Sequence, residues 1–245
     1  NKGYTIIVSQ SQEFLEREKK NLQGMISNRI AGLIMSVSQE TKSSEHLELI
    51  KGRGIPIVLF DRVLEDFESS KVINNDYGGA YKAVSFLVEK GYERIAYLGG
   101  KEYLLINQER LRGYKEGLIS HKRKVIDDYI VFSGLEEGDG AEGIKKLLKL
   151  NPKPDAVLCV NDPVAIGAYS VVKNMGLKIP EDIAFIGFSN DPLCRLLTPP
   201  LTTINQLSYE MGKISAELLF EQIENQDLRT SFITKVIETE LIIRE

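Results

Sequence analysis

Short apolar runs rich in β-branched residues recur along the chain, at residues 5–8, 32–35, 56–60, 71–73, 95–98, 156–160 and 183–188. Continuous apolar runs of this length, without polar alternation, predict strands buried on both faces, as parallel sheets require. Helical periodicity fills most of the gaps. Residues 13–27 put Leu15, Leu22 and Ile26 on one side, and residues 77–90 gather Ala80, Val84, Leu87 and Val88 before the stop at Gly91. Residues 163–174 open on Pro163 and stop at Gly176, and residues 208–225 carry Met211, Ser215, Leu218, Leu219 and Ile223 in one stripe. Strand alternating with helix predicts βα units and a doubly wound α/β architecture. Two series are visible, one ending near Tyr92 and one running from Ile95 to about Phe188. The strand at 201–204, the last helix and an alternating strand at 235–243 then start no third domain. A chain that crosses back between two α/β lobes accommodates them.

Composition narrows the partners. Of 245 residues, 42% are hydrophobic and 27% charged, which supports one large core or two smaller ones. Lys and Arg number 31 against 35 Asp and Glu, a net charge of −4. The one dense basic cluster, residues 121–124, is followed by Asp127 and Asp128 and reads as a solvated helix end, so these residues offer no DNA-gripping face. Cys159 falls in a core run and Cys194 in a Leu-rich loop, with no metal-ligand spacing or disulfide framework. Reduced thiols in the cytoplasm are expected. No apolar run reaches the length of a membrane span, and no signal peptide begins the sequence.

Ligands of open α/β sheets sit at the carboxyl ends of strands. There the sequence places Asp61-Arg62, Asn74-Asn75-Asp76, Gly99-Gly100 with a loop to Arg110 at the start of a helix, Asn161-Asp162, and Ser189-Asn190-Asp191. Asp76 and Asp162 serve equally well as plain helix N-caps, Asp61-Arg62 as a local ion pair, and Ser189-Asn190 as turn residues. Amides, carboxylates, hydroxyls and guanidiniums nevertheless recur at strand ends in both series, which suits a ligand rich in hydroxyls. No catalytic constellation accompanies them. His46 and His121 read as surface residues, and no nucleophile elbow, phosphate-binding loop or zinc spacing is present. No enzyme, cofactor or metal is expected.

Four segments resemble the effector-binding core of lactose-repressor (LacI) family transcription regulators. They are PIVLFDR at 56–62, NNDYGGAYKAVSFLVEKGYERIAYLGG at 74–100, ERLRGY at 109–114, and PDAVLCVNDPVAIGAYSVVKNMGLKIPEDIAFIGFSNDPLCRLLTPPLTTINQ at 154–206. The resemblance covers essentially the whole chain. It implies a type I periplasmic-binding-protein fold, two Rossmann-like lobes with parallel sheets joined by three crossovers, with effector in the cleft. Residues 1–92 and 203–229 would form the N-terminal lobe, and 93–202 and 230–245 the C-terminal one. By motif position Arg110 and Asn161 would contact effector, Arg62 would line the pocket, Asp76 would head the next helix, and Leu135 occupies a position that is often aromatic. Ser189 and Asn190 stand where the family usually has two aspartates. With one carboxylate absent and Arg62 and Arg110 near, a sugar acid or sugar phosphate gains ground over a neutral sugar as effector.

The resemblance also implies a homodimer, through Leu193, Leu196 and Leu197 and the helix carrying Tyr169, and operator binding through a headpiece that is not in this chain. Residues 2–8 look like the family's second strand, so the first strand and helix of the N-terminal lobe are missing from the sequence. The natural protein is expected to extend upstream, and the first lobe standing alone to be unstable or completed by something else. The reading is a cytoplasmic repressor-type switch. The rivals are a periplasmic sugar-binding protein of an uptake system, an enzyme on a doubly wound fold, and a regulator that answers to a phosphorylated protein.

Overall fold

The computed structural model describes residues 3–244; the outermost residues of the two expected lobes, 1, 2 and 245, lie outside the described residues. Contacts cluster into two compact units. Unit 1 runs to Ile73 and takes up Tyr209–Val236, and unit 2 comprises Asn74–Ser208 and the chain from Ile237 onward. The chain therefore passes between units three times.

Unit 2 is built on a six-stranded sheet. Its strands are β4 (Ile95–Gly99), β5 (Ile130–Phe132), β6 (Ala156–Cys159), β7 (Ala184–Ser189), β8 (Thr202–Asn205) and β10 (Glu240–Ile242). Their order is β10-β8-β7-β6-β4-β5, parallel except for the antiparallel β10. Successive side chains leave a strand on opposite faces, which explains the unbroken apolar runs. Ala96, Leu98, Val157, Cys159 and Phe185 pack on one face with α5 (Glu137–Leu147) and α6 (Asp162–Asn174). Ile95, Tyr97, Ala156, Leu158 and Ile186 pack on the other with α3 (Asp76–Glu89) and α4 (Leu105–Ser120). After β4 the chain adds β5 on one side and returns with β6 on the other, so the sheet's switch point lies between β4 and β6.

Unit 1 holds α1 (Leu15–Ser27), α2 (Glu48–Lys51) and α7 (Ser208–Glu224) with a four-stranded sheet. Its strands β1 (Leu33–Met35), β2 (Ile57–Phe60), β3 (Ser70–Asn74) and β9 (Thr234–Ile237) lie in that order, and β1, β2 and β3 are parallel.

Four expectations are corrected. Residues 5–8 form no strand; Ile6 and Val8 are 84% and 85% exposed. Their β-propensity is unused, since they pair with neither edge strand, β1 or β9, of the four-stranded sheet. The alternating run at 235–243 is two strands, β9 and β10, one in each sheet. The division falls after Ile73 rather than Tyr92, because α3 buries Ala80, Ala83, Val84 and Leu87 in the core of the six-stranded sheet. Arg110 lies within α4, which begins five residues earlier at Leu105.

Glycines set how closely the helices approach. A Cβ on Gly167 of α6 would lie 1.9 Å from the Glu137 carbonyl of α5, and one on Gly140 of α5 would lie 2.0 Å from the Val164 carbonyl of α6. Backbone cannot yield as a flexible side chain does. Gly167→Ala should therefore lower the unfolding free energy by about 1–3 kcal/mol, the usual cost of overpacking. Gly212→Ala, on an exposed face of α7 with nothing within 4 Å of its Cβ, should raise it by about 0.5–1 kcal/mol. Urea denaturation of both variants checks the pair, and equal effects would contradict the close-approach account.

Candidate functional site

The polar groups of unit 2 converge at the carboxyl ends of β4, β6 and β7. Arg110 is 2% exposed. Its Nε and Nη2 donate to Asp76 Oδ1 at 2.8 and 2.7 Å, and its Nη1 donates to the carbonyl of Val160. The flat guanidinium also lies over the Phe188 ring, 3.7 Å from its centroid. A buried guanidinium is tolerated only with such partners, and the aromatic face adds about 0.5–2 kcal/mol. Asp76 begins α3, where the helix dipole favours a carboxylate. A Cβ on Gly79 would lie 2.8 Å from Phe188, so glycine one turn along α3 makes room for the ring that Arg110 covers.

Beside this cluster the amide of Asn161 is used at both ends. Its Oδ1 caps α6 by accepting from Val164 N at 2.9 Å, and its Nδ2 donates to Leu135 O at 2.8 Å. The N-caps of α3 and α6 are Asn75 and Asn161, so Asp76 and Asp162 are first-turn residues rather than caps. Leu135 is a buried residue of the core, packed against Gly100.

Asp162 was legible only as a helix-start residue, yet it organises the loop after β7. It is wholly buried, accepting from Thr203 Oγ1 at 2.6 Å and from Asp191 N at 2.7 Å. Gly187 must be glycine, since a Cβ there would meet Asp162 Oδ1 at 2.0 Å. Burial pushes the Asp162 carboxyl above the ordinary aspartate range, against the lowering by its hydrogen bonds. Burial, with Asp162 close by, pushes the Cys194 thiol up to about 12. Ser189 and Asn190 both take positive φ, 128° and 60°, and turn the chain out of β7. Asn190 Oδ1 accepts from Arg244 at 2.6 Å. Its backbone N–H donates to Thr203 Oγ1 at 3.3 Å.

Among the side chains whose buried polar atoms lack a protein partner, three stand out, of which the sequence placed only Asn74 among the strand-end polar groups. They are both amide atoms of Asn74 at the end of β3, Nδ2 of Asn107 on α4, and Oγ of Ser133 just after β5. Asn107 Oδ1 meanwhile accepts from Tyr97 Oη and Gly100 N at 3.0 and 2.9 Å. Nothing in a linear pattern distinguishes a spare amide from a satisfied one.

Arg62 lies in unit 1, where its two terminal nitrogens each donate to a carboxylate oxygen of Glu13 at 2.8 Å. Such a fork-to-carboxylate pair neutralises the cation locally. His46 is not a surface residue, because its Nε2 lies 2.6 Å from the buried carboxylate of Glu18. Among the described residues no three of His, Cys, Asp and Glu gather as a metal-binding group, and no helix is long and apolar enough to cross a membrane.

Residues 84–245 match the family model of the periplasmic binding protein-like domain. The ribose operon repressor of Haemophilus influenzae is 31% identical over 242 residues, 99% of this chain and 71% of that protein. The chain belongs to the lactose-repressor family of transcriptional regulators. The transcriptional repressor PurR of Actinobacillus pleuropneumoniae is 30% identical over 244 residues, again 99% of this chain and 71% of its own. A solved LacI-family regulatory protein from Chloroflexus aggregans superposes with a TM-score of 0.79 at 26% identity, over 97% of this chain and 83% of its own.

For this LacI-family core the expected dimer residues separate. Leu193 and Leu196 are exposed, Leu196 by 76%. Leu197 packs against the unit's own core, and Tyr169 is buried, its ring 6.2 Å from that of Phe185 and its Oη donating to Pro199 O. Tyr169 therefore has little surface left for a partner.

The Asp162 carboxyl gives a pH test with a defined sign. A carboxyl whose folded pKa is raised binds its proton sooner in the folded than in the unfolded state. Its contribution to stability then falls as pH rises from the ordinary aspartate range through the raised value. The unfolding free energy of the parent minus that of Asp162→Asn, from urea melts between about pH 4 and 7, should fall with rising pH. A flat or growing difference would contradict the buried-carboxylate account.

Proposed function

We propose that this chain is the effector-sensing and dimerisation core of a transcriptional repressor, and that its effector is a small, neutral, sugar-like molecule held at the carboxyl ends of the unit 2 strands. The observation that carries the reading is the collection of polar groups at the sheet's switch point. Asn107 and Ser133 bring buried atoms with spare hydrogen-bonding capacity there, and Ser189 brings a hydroxyl. A buried donor or acceptor left unmade costs about 1–3 kcal/mol, which a polyhydroxylated ligand can offset.

Ligand charge is argued from the two arginines. Arg110 is paired with Asp76 and Arg62 with Glu13, so neither guanidinium brings net positive charge to its strand end. That removes the argument for a sugar acid or sugar phosphate and favours a neutral sugar. The name of the similar ribose operon repressor points the same way. Binding without turnover fits the named repressors, and a repressor acts in the cytoplasm, on operator DNA through a headpiece beyond these residues.

Thermal unfolding with ribose, ribose 5-phosphate and adenine tests this reading. Ribose should stabilise by about 2.7 kcal/mol at a hundredfold excess over its Kd. Ser189→Ala should leave the unliganded melting temperature unchanged and weaken ribose about fivefold, the worth of one hydrogen bond. Stabilisation by the phosphate or by adenine, with none from any neutral sugar, would overturn the proposal.

The exposed Leu193 and Leu196 are proposed as the homodimer contact, since exposed leucines beside a packed core suit burial against a second copy. Leu196→Glu should give monomers in sedimentation while the core stays folded; an unchanged dimer would reject the assignment.

A further inference from the structure

We propose that unit 2 carries a second ligand site, for a small aryl carboxylate, in a cavity separate from the effector end of the sheet. The cavity has a volume of about 330 Å³, near the lower end of the range for small-molecule sites. It is lined by Ala184, Phe185 and Ile186, the first half of β7, and by Thr202 at the start of β8. Ser189 and Asn205, the residues at the carboxyl ends of those strands, are not among its walls.

Its chemistry differs from that of the strand ends. Four aromatic rings, Phe86, Tyr92, Tyr169 and Phe185, three prolines and aliphatic side chains form most of the wall, and neither aspartate nor glutamate contributes. The charged groups are Lys90 and Arg244, in a protein whose net charge is −4. Arg244 is committed to the Leu201 carbonyl and to Asn190 Oδ1, both at 2.6 Å. Lys90 is different. Its Nζ lies 5.5 Å from the Phe86 ring centroid, and it makes no ion pair among the described residues.

An apolar, ring-walled cavity with an unpaired ammonium at its rim selects a flat apolar body with one negative charge. A sugar would leave its hydroxyls unmatched against these walls, at the cost of burying polar groups without partners. A neutral aromatic would leave the ammonium unused. A carboxylate on an aromatic ring satisfies both, with the ring among Phe86, Tyr92 and Phe185 and the carboxylate at Lys90.

The probe is 2-naphthoate, with 2-naphthamide as its uncharged counterpart. The chain has no tryptophan, so naphthalene fluorescence is read against tyrosine alone. One naphthoate should bind per chain, with the amide and the Lys90→Gln variant each weaker by about fivefold, the upper worth of an ion pair with an exposed lysine. In methyl-labelled protein the Ile179, Ile186 and Ile243 signals, from the cavity wall, should move on addition of naphthoate. Ile106, on α4 near the effector end, should not. Equal binding of acid and amide, unchanged affinity in Lys90→Gln, or shifts at Ile106 without shifts at the cavity isoleucines would each overturn the proposal. The ribose measurements are independent of this result, so either reading can fail alone.

Discussion

A guanidinium removed from water must find its partners within the protein, and that requirement at Arg110 fixes the relation of four elements. Asp76 of α3 supplies the counter-charge, Val160 just after β6 supplies a carbonyl, Phe188 of β7 supplies a ring face, and α4 carries the arginine itself. Removing one member of a buried pair typically costs about 3–5 kcal/mol, because the other is left charged and alone. The arrangement therefore stands or falls as a unit, and it stands where the strand order reverses, between β4 and β6. Gly79 and Gly113 belong to the same constraint: Gly79 admits Phe188, and a Cβ on Gly113 would lie 2.3 Å from the Tyr77 carbonyl.

The features of unit 2 that depend on period were legible in the sequence. Runs such as 95–98 and 156–160 are unbroken because both faces of the sheet are covered, and a doubly covered sheet needs helices between its strands. Contacts that depend on three-dimensional convergence were not. Arg62 and Glu13 are 49 positions apart, and Asp162 and Thr203 are 41 apart, so no local pattern records either pair. Strand β5 is apolar, Ile130-Val131-Phe132, but three half-buried residues are too short a run to stand out as a strand. The run at 235–243 alternates as one strand would, and its break at Glu238 and Thr239 is set by which sheet each half joins.

Residues 5–8 show the limit of local preference from the other side. The segment Thr-Ile-Ile-Val has strong β-propensity, yet a strand is a set of backbone pairings and not a property of side chains. In unit 1 the edge strands are β1 and β9, and these residues pair with neither. Apolar side chains that would be buried by a sheet neighbour stay in water, which is the reverse of what happens to similar runs in unit 2. The same pattern thus gives a core strand or an exposed segment according to whether its backbone is paired into a sheet.

The ligand-facing chemistry follows from how charges are settled inside the fold. Counting arginines at strand ends suggests an anion site, but a charge already balanced by a buried carboxylate does not attract a second one. The glutamate that balances Arg62 comes from residue 13, and the aspartate that balances Arg110 opens α3. Once both are paired, the spare capacity at the effector end is in amides and hydroxyls, while Lys90 brings a positive charge to the rim of a cavity walled by rings and prolines. The two ends of one sheet therefore differ in the ligands they suit: hydrogen-bonding groups at the carboxyl ends, and an apolar body with one negative charge at the start of β7 and β8.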